Sequence, residues 1–194
     1  IEGNNRIKAI NEGSFPFDVV DTSLNKALSK ARKNGRLMAS SDISLYAKAT
    51  IIIIDINLDL KDFEGDIKKS SFLNSIRQIA NHMNKNAFLL VETTVPPGTC
   101  EHIIIPEIRK TLIARSIPSD KFYLAHSYER VMPGKSYFNS IKNYWRVYAG
   151  LNKQSEKKCK IFLETIINTD KYPLTKLNNL RASELSKIME NTFR

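Results

Sequence analysis

Cysteine is scarce: Cys100 and Cys159 are the only two in 194 residues, too few for the disulfide framework of a small secreted domain. No signal peptide opens the sequence, and its longest aliphatic run, Ile51 to Ile54, has the length of a strand and not of a membrane-spanning helix. These absences fit a soluble, cytoplasmic protein with no membrane partner, and no metal site is expected. No internal repeat or low-complexity linker breaks the chain, which is long enough for one sizeable domain, or for one domain and the start of another. Acidic residues number 20 against 30 lysines and arginines, a formal charge of +10, yet the bases are scattered through helical stretches. Charge alone does not choose between nucleic acid and polyanionic small molecules such as diphosphates. Without a basic block, no nucleic-acid partner is expected.

What is present is an alternation of short β-rich runs with longer amphipathic stretches, the pattern of an α/β fold with a parallel sheet covered by helices. Leu37 to Ser40, Thr50 to Ile56, Ala87 to Glu92, Phe122 to His126 and Trp145 to Ala149 read as strands. Thr22 or Ser23 can cap a helix to Asn34 that Gly35 closes, and Ser41 or Asp42 can cap a short one. A further helix from Ser70 or Ser71 buries Phe72, Ile76, Ile79 and Met83; others open after Gly98, span Asn152 to Ile167 and run from about Lys176 through Arg194. Ile1-Glu2-Gly3 reads as the tail of a strand before a helix from Asn4 to Asn11, closed by Gly13. With a helix still running at Arg194, both flanks of a longer protein are expected to be missing.

Three segments carry candidate chemistry. Glu92-Thr93-Thr94-Val95-Pro96-Pro97-Gly98-Thr99 joins a strand to a helix at the carboxyl edge of the sheet, where open α/β folds bind ligands. Its hydroxyls can donate to a ribose, a diphosphate or a water, although a plain strand-to-helix turn also explains the Pro-Pro-Gly. Ser127-Tyr128-Glu129-Arg130-Val131-Met132-Pro133-Gly134-Lys135 follows another strand. There a glutamate can orient a water or sugar hydroxyl and an arginine can grip a phosphate, or the two can form an exposed ion pair. On the last helix, Lys187, Asn191 and Arg194 fall on one face at four- and three-residue steps; in a closed pocket they can stabilise an oxyanion, and in the open they are a solvated face.

In this order and at these separations, ETTVPPGT, YERVMPGK and ELSKIMENTFR resemble the UDP-glucose/GDP-mannose dehydrogenase family. That family's pattern is Glu-Ser/Thr-Thr-x-Pro-x-Gly, then Pro-Glu-Arg-Val-x-Pro-Gly or Pro-Glu-Phe, then Glu-Leu-x-Lys-x-x-x-Asn-Thr. Weaker similarity at Ile10-Asn11-Glu12-Gly13 and Gly35-Arg36-Leu37 extends the resemblance over nearly the whole chain. It implies a partial Rossmann-like NAD-binding domain over residues 1–174, a mainly parallel sheet with helices on both faces. Residues 175–194 would begin the long connecting helix. It further implies NAD as cofactor, a UDP-sugar such as UDP-glucose or a UDP-N-acetylhexosamine as substrate, and a homodimer formed through the central helix. The implied reaction oxidises C6 twice, through a thiohemiacetal and a thioester, to the uronic acid used in surface polysaccharide. By residue, Glu2 matches the acid that holds the adenosine ribose, and Thr94 the threonine near the nicotinamide and the catalytic water. Asn57 stands at a cofactor-contacting turn, and Glu129 matches the general-base region. Arg130 and Val131 match substrate contacts, weakly favouring N-acetyl sugars. Lys187, Asn191 and Arg194 match helix residues that bind the sugar and stabilise oxyanions, with Lys187 as acid/base.

The departures are specific. No G-x-G-x-x-G loop precedes Glu2, and the family's nucleophilic cysteine would lie beyond Arg194. Asn57-Leu58 replaces Thr-Pro, and Tyr128 replaces proline. Cys100 sits at a helix start whose dipole would lower its pKa, but no family motif surrounds it; it and Cys159 are expected to be buried structural thiols. The chain by itself is expected to be inactive. A β-hydroxyacid dehydrogenase, which shares a Lys-x-x-x-Asn pair, is the rival enzyme, and the two turns argue against it. A truncated, non-catalytic module that binds nucleic acid or a protein partner is the rival outside enzymes.

Overall fold

The computed structural model describes residues 2–17, 21–56, 58, 71–131 and 136–193, with only the backbone of Glu2. Expectations placed on Asn57, on Arg194 and on the Glu2 side chain lie outside the described residues. The chain forms two compact units, Ile1–Asp42 with Arg130–Tyr144, and Ile43–Glu129 with Trp145–Arg194.

The second unit is a five-stranded, mainly parallel sheet with helices on both faces. Strands β1 (Ile51–Ile54), β2 (Phe88–Val91), β3 (Tyr123–His126), β4 (Val147–Gly150) and β5 (Thr175–Lys176) lie side by side in that order. β1, β2 and β3 pair in parallel, β4 runs antiparallel to β3, and β5 is parallel to β4. Alternation along each strand splits the core. Ile52, Ile54, Leu89, Val91 and Leu124 face one side, with Phe72, Ile76 and Ile79 of α3 (Ser71–His82) and Ile105, Ile108 and Leu112 of α4 (Ile105–Ala114). Phe88, Leu90, Ala125 and Tyr148 face the other, with Cys159 and Leu163 of α6 (Lys153–Glu164). Each large apolar side chain fully buried here contributes about 1.5–3 kcal/mol relative to exposure. A 3₁₀ turn at Ile43–Ala47 leads into β1, and a π turn at Cys100–Ile104 leads into α4. The helix α7 (Leu180–Thr192) closes the chain, its first turn capped by the Asn179 side chain, which accepts from the Ala182 N–H at 2.8 Å. Its start corrects the expected one: Lys176 belongs to β5 and pairs with Glu156 at 3.3 Å.

The first unit contains α1 (Glu2–Asn11), α2 (Thr22–Lys33) and α5 (Tyr137–Lys142). Glu2 and Gly3 are the first turn of α1, not the tail of a strand. Gly13 and Gly35 have φ of 84° and 67°, the left-handed closures expected after the two longer helices. The cap of α2 is Asp21, one residue earlier than expected: its carboxylate accepts from the Ser23 and Leu24 N–H groups at 2.9 and 3.0 Å. Leu37 to Ser40 is not a strand. The Asn11 side chain donates to the Ala39 carbonyl and accepts from its N–H, both at 2.9 Å, meeting the backbone groups a neighbouring strand would have met. No helix among the described residues is long and apolar enough to cross a membrane.

Candidate active site

Because β1, β2 and β3 are parallel, the residues after them gather at one edge: Asp55 after β1, Glu92 to Thr94 after β2, and Ser127 to Glu129 after β3. Thr94 and Glu129 therefore share the carboxyl edge, as expected. The two threonines differ sharply. Thr93 is buried, its hydroxyl lying 3.2 Å from the Ile54 carbonyl and 3.0 Å from that of Ile56 while accepting the Ile56 N–H at 2.9 Å. It stitches the end of β1 to the end of β2, and its neighbour Thr94 is exposed and open to a ligand.

A buried arginine organises the next loop. Arg146, 3% exposed, donates to the Tyr128 carbonyl at 2.7 Å and to the Glu92 carboxylate at 2.5 Å. The guanidinium thus pairs with Glu92 and also pulls on the Asp55 carboxyl. Desolvation raises the Glu92 pKa, against the pull of Arg146. Desolvation, and then the Glu129 charge, raise that of Asp55. Ser127 donates to the Val147 carbonyl at 2.7 Å, so the loop after β3 is fixed at successive residues.

Helix α7 lies across these ends and buries polar groups. The Lys187 ammonium, 8% exposed, donates to the Glu129 carbonyl at 3.0 Å and stands 5.1 Å from the centre of the Tyr128 ring. This leaves N–H donors beyond the one spent on the carbonyl. The Ser183 hydroxyl donates to the His126 carbonyl at 3.2 Å and sits 2.8 Å from His126 Nδ1. Burial pushes the His126 pKa down to about 4, so the ring is neutral. Asn191 is exposed, one turn beyond Lys187. Arg130 and Val131 belong to the first unit, where the Arg130 guanidinium stands 5.2 Å over the Tyr144 ring.

Glu184, Arg146, Asp55 and the His126–Ser183 pair were not assigned from sequence. Glu184 and Ser183 stand in or beside the ELSK motif, but nothing local distinguishes a buried glutamate from a solvated one. The Glu184 carboxylate, 0% exposed, accepts the Gly98 N–H and, at 2.7 Å, the Cys100 N–H. This helix start is thus already occupied by an anion and cannot cradle a diphosphate, a role that would fall to a glycine-rich loop. Burial, reinforced by Glu184, pushes the Cys100 thiol well up, contrary to the lowering expected from the helix dipole; Cys159 is pushed up to about 12 by burial. Both are buried thiols, unsuited as nucleophiles.

The sequence model of the UDP-glucose/GDP-mannose dehydrogenase family, NAD binding domain, matches residues 2–167. A UDP-N-acetyl-D-mannosamine dehydrogenase of Pyrococcus horikoshii is 27% identical over 189 residues, 97% of this chain and 42% of that protein. A UDP-glucose 6-dehydrogenase of Rickettsia prowazekii is 26% identical over 195 residues, 97% of this chain and 41% of that protein. The chain spans about two fifths of the length of these curated relatives. The crystal structure of an NDP-N-acetyl-D-galactosaminuronic acid dehydrogenase from Methanosarcina mazei shares the fold, with a TM-score of 0.84 at 22% identity over 99% of this chain and 39% of that one.

Proposed function

The chain belongs to the UDP-glucose/GDP-mannose dehydrogenase family, and from that premise we propose that it is the NAD-binding part of an enzyme oxidising a UDP-sugar at C6 to the uronic acid. The observation that carries this reading is the convergence of exposed Thr94, Glu129 and the buried Lys187 ammonium at one sheet edge. Residues 1–174 are read as the partial Rossmann-like domain and 175–194 as the start of the connecting helix.

When bound, NAD would supply the hydride acceptor for the sugar carbon. Thr94 holds its nicotinamide end, and Glu2 and Asn57 complete the cofactor contacts. Lys187 directs its free N–H donors at the oxygen that becomes negative as the carbon is attacked, and Asn191 adds an amide donor on the same helix face. Buried beside an aromatic ring, such a cation acts more strongly than one in water. Glu129, its backbone pinned by Lys187 and its preceding carbonyl by Arg146, orients the hydrolytic water together with Thr94. Arg130, Val131, Lys187, Asn191 and Arg194 bind the UDP-sugar, and the product feeds surface polysaccharide in the cytoplasm. An exposed apolar stripe on α7, Leu185, Met189 and Phe193 at four-residue steps, supports a homodimer built through this helix.

The test is NADH formation. The complete enzyme should release two NADH per UDP-glucose or UDP-N-acetylhexosamine, and the 194-residue chain none, since its sequence carries no G-x-G-x-x-G loop for the pyrophosphate and neither of its thiols can serve as nucleophile. Turnover of a 3-hydroxy acid in place of every UDP-sugar would overturn the reading in favour of a β-hydroxyacid dehydrogenase.

A further inference from the structure

Glu184 has no place in the chemistry above, yet it is among the most completely buried charged groups of the chain. Its two carboxylate oxygens are divided between two backbone donors, the N–H groups of Gly98 and Cys100. Those donors open the π turn that follows Thr94-Val95-Pro96-Pro97, where Gly98 adopts a φ of 94° that a side chain would strain. Desolvation raises the Glu184 pKa, and the two N–H groups oppose that rise.

Three residues further on, and so on the same face of α7, Lys187 donates to the Glu129 carbonyl. One buried helix face therefore holds the turn after β2 through Glu184 and the loop after β3 through Lys187. Thr94 and Glu129, which the proposed reaction needs together, hang from these two segments.

We infer that Glu184 is a positioning residue: its bidentate grip on Gly98 and Cys100 sets the Thr94 turn against Lys187. The inference rests on the function proposed above. Glutamine at this position keeps the size but offers an N–H₂ to one backbone N–H, breaking one of the two bonds; aspartate keeps the charge but falls short by one methylene. Either change moves the turn with little loss of buried apolar surface.

Two measurements on Glu184→Gln and Glu184→Asp test this. In the 194-residue chain, amide exchange at Gly98 and Cys100 should quicken at least tenfold, with Leu90 and Val91 of β2 unchanged. In the complete enzyme, kcat for UDP-sugar oxidation should fall at least tenfold in both variants with KM for the sugar within about threefold of wild type, the pattern of lost transition-state geometry rather than lost binding. If one variant fails to fold, the other carries the test. Unchanged exchange at both amides, or faster exchange with wild-type kcat, would overturn the role of Glu184. A wild-type enzyme that oxidises no UDP-sugar with NAD would instead overturn the function on which it rests.

Discussion

Helices α2 and α7 have 12 and 13 residues and each is capped by a side-chain oxygen, yet they do opposite things with their polar groups. In the first unit α2 buries nothing completely, and its lysines and arginine stay near the surface. In the second unit α7 buries Ser183, Glu184 and Lys187 while exposing Leu185, Met189 and Phe193, an inversion of ordinary amphipathicity. Burying charge is costly unless it is paired, and Ser183, Glu184 and Lys187 each meet a partner at or just beyond the sheet edge. The inversion marks the helix whose polar face is used; the ordinary pattern of α2 marks one that serves as surface.

Breaking the buried side of this contrast should have the largest effect on stability. Arg146→Ala strips the paired guanidinium from Glu92 and frees the Tyr128 carbonyl, and should cost about 3–5 kcal/mol in urea unfolding at pH 7. A loss below about 1 kcal/mol would show that the pair contributes little. His126 comes next. Its folded pKa, about 4, lies below the ordinary 6.5, so the stability held by the neutral ring is complete above pH 6.5 and is lost as pH falls toward 4. Between pH 7.5 and 5 wild type should therefore lose about 2 kcal/mol relative to His126→Asn. Parallel pH dependence of the two proteins would contradict a buried neutral ring.

In the first unit the effects shrink. Asp21 joins the start of α2 to α5, accepting also the Phe138 N–H at 2.8 Å, and Asp21→Ala should lower the urea unfolding midpoint, by less than Arg146→Ala does. That contribution is present at neutral pH and lost on acidification, because the Phe138 N–H and its neighbours hold the carboxyl below its usual range. Lys30→Ala, on the open face of α2, should change stability by less than about 0.5 kcal/mol. A larger change would mean that α2 is not the solvated helix described here.

Much of the second unit was legible in the sequence, because β-branched runs bounded by turn residues leave few alternatives: three of its strands lie within segments read as strands, and a fourth, Val147–Gly150, runs one residue past its segment. Leu37 to Ser40 misled because β propensity says nothing about whether a strand partner exists, and here a single asparagine side chain takes that place. Lys176 misled because helix-compatible residues continue upstream of Asn179, and only the cap marks the start. At the site, the motifs gave Thr94, Glu129 and Lys187, whose segments meet at one edge. Glu184 and Arg146 stayed hidden because their partners are backbone groups and a carboxylate 54 to 86 residues away in sequence, apart from the nearer Tyr128 carbonyl, and no spacing rule connects them.

On the proposed function, the ammonium buried on α7 stabilises charge that develops during the reaction. Steady-state NADH kinetics of the complete enzyme, with UDP-glucose and UDP-N-acetylmannosamine as substrates, test it by comparing Lys187→Ala with Lys30→Ala, each of which removes one lysine. For Lys187→Ala kcat should fall by roughly 100-fold or more, the scale of a lost oxyanion donor, and for Lys30→Ala it should be nearly unchanged. A near-normal kcat for Lys187→Ala, with any loss confined to KM, would contradict it and leave Lys187 as a ground-state binding group.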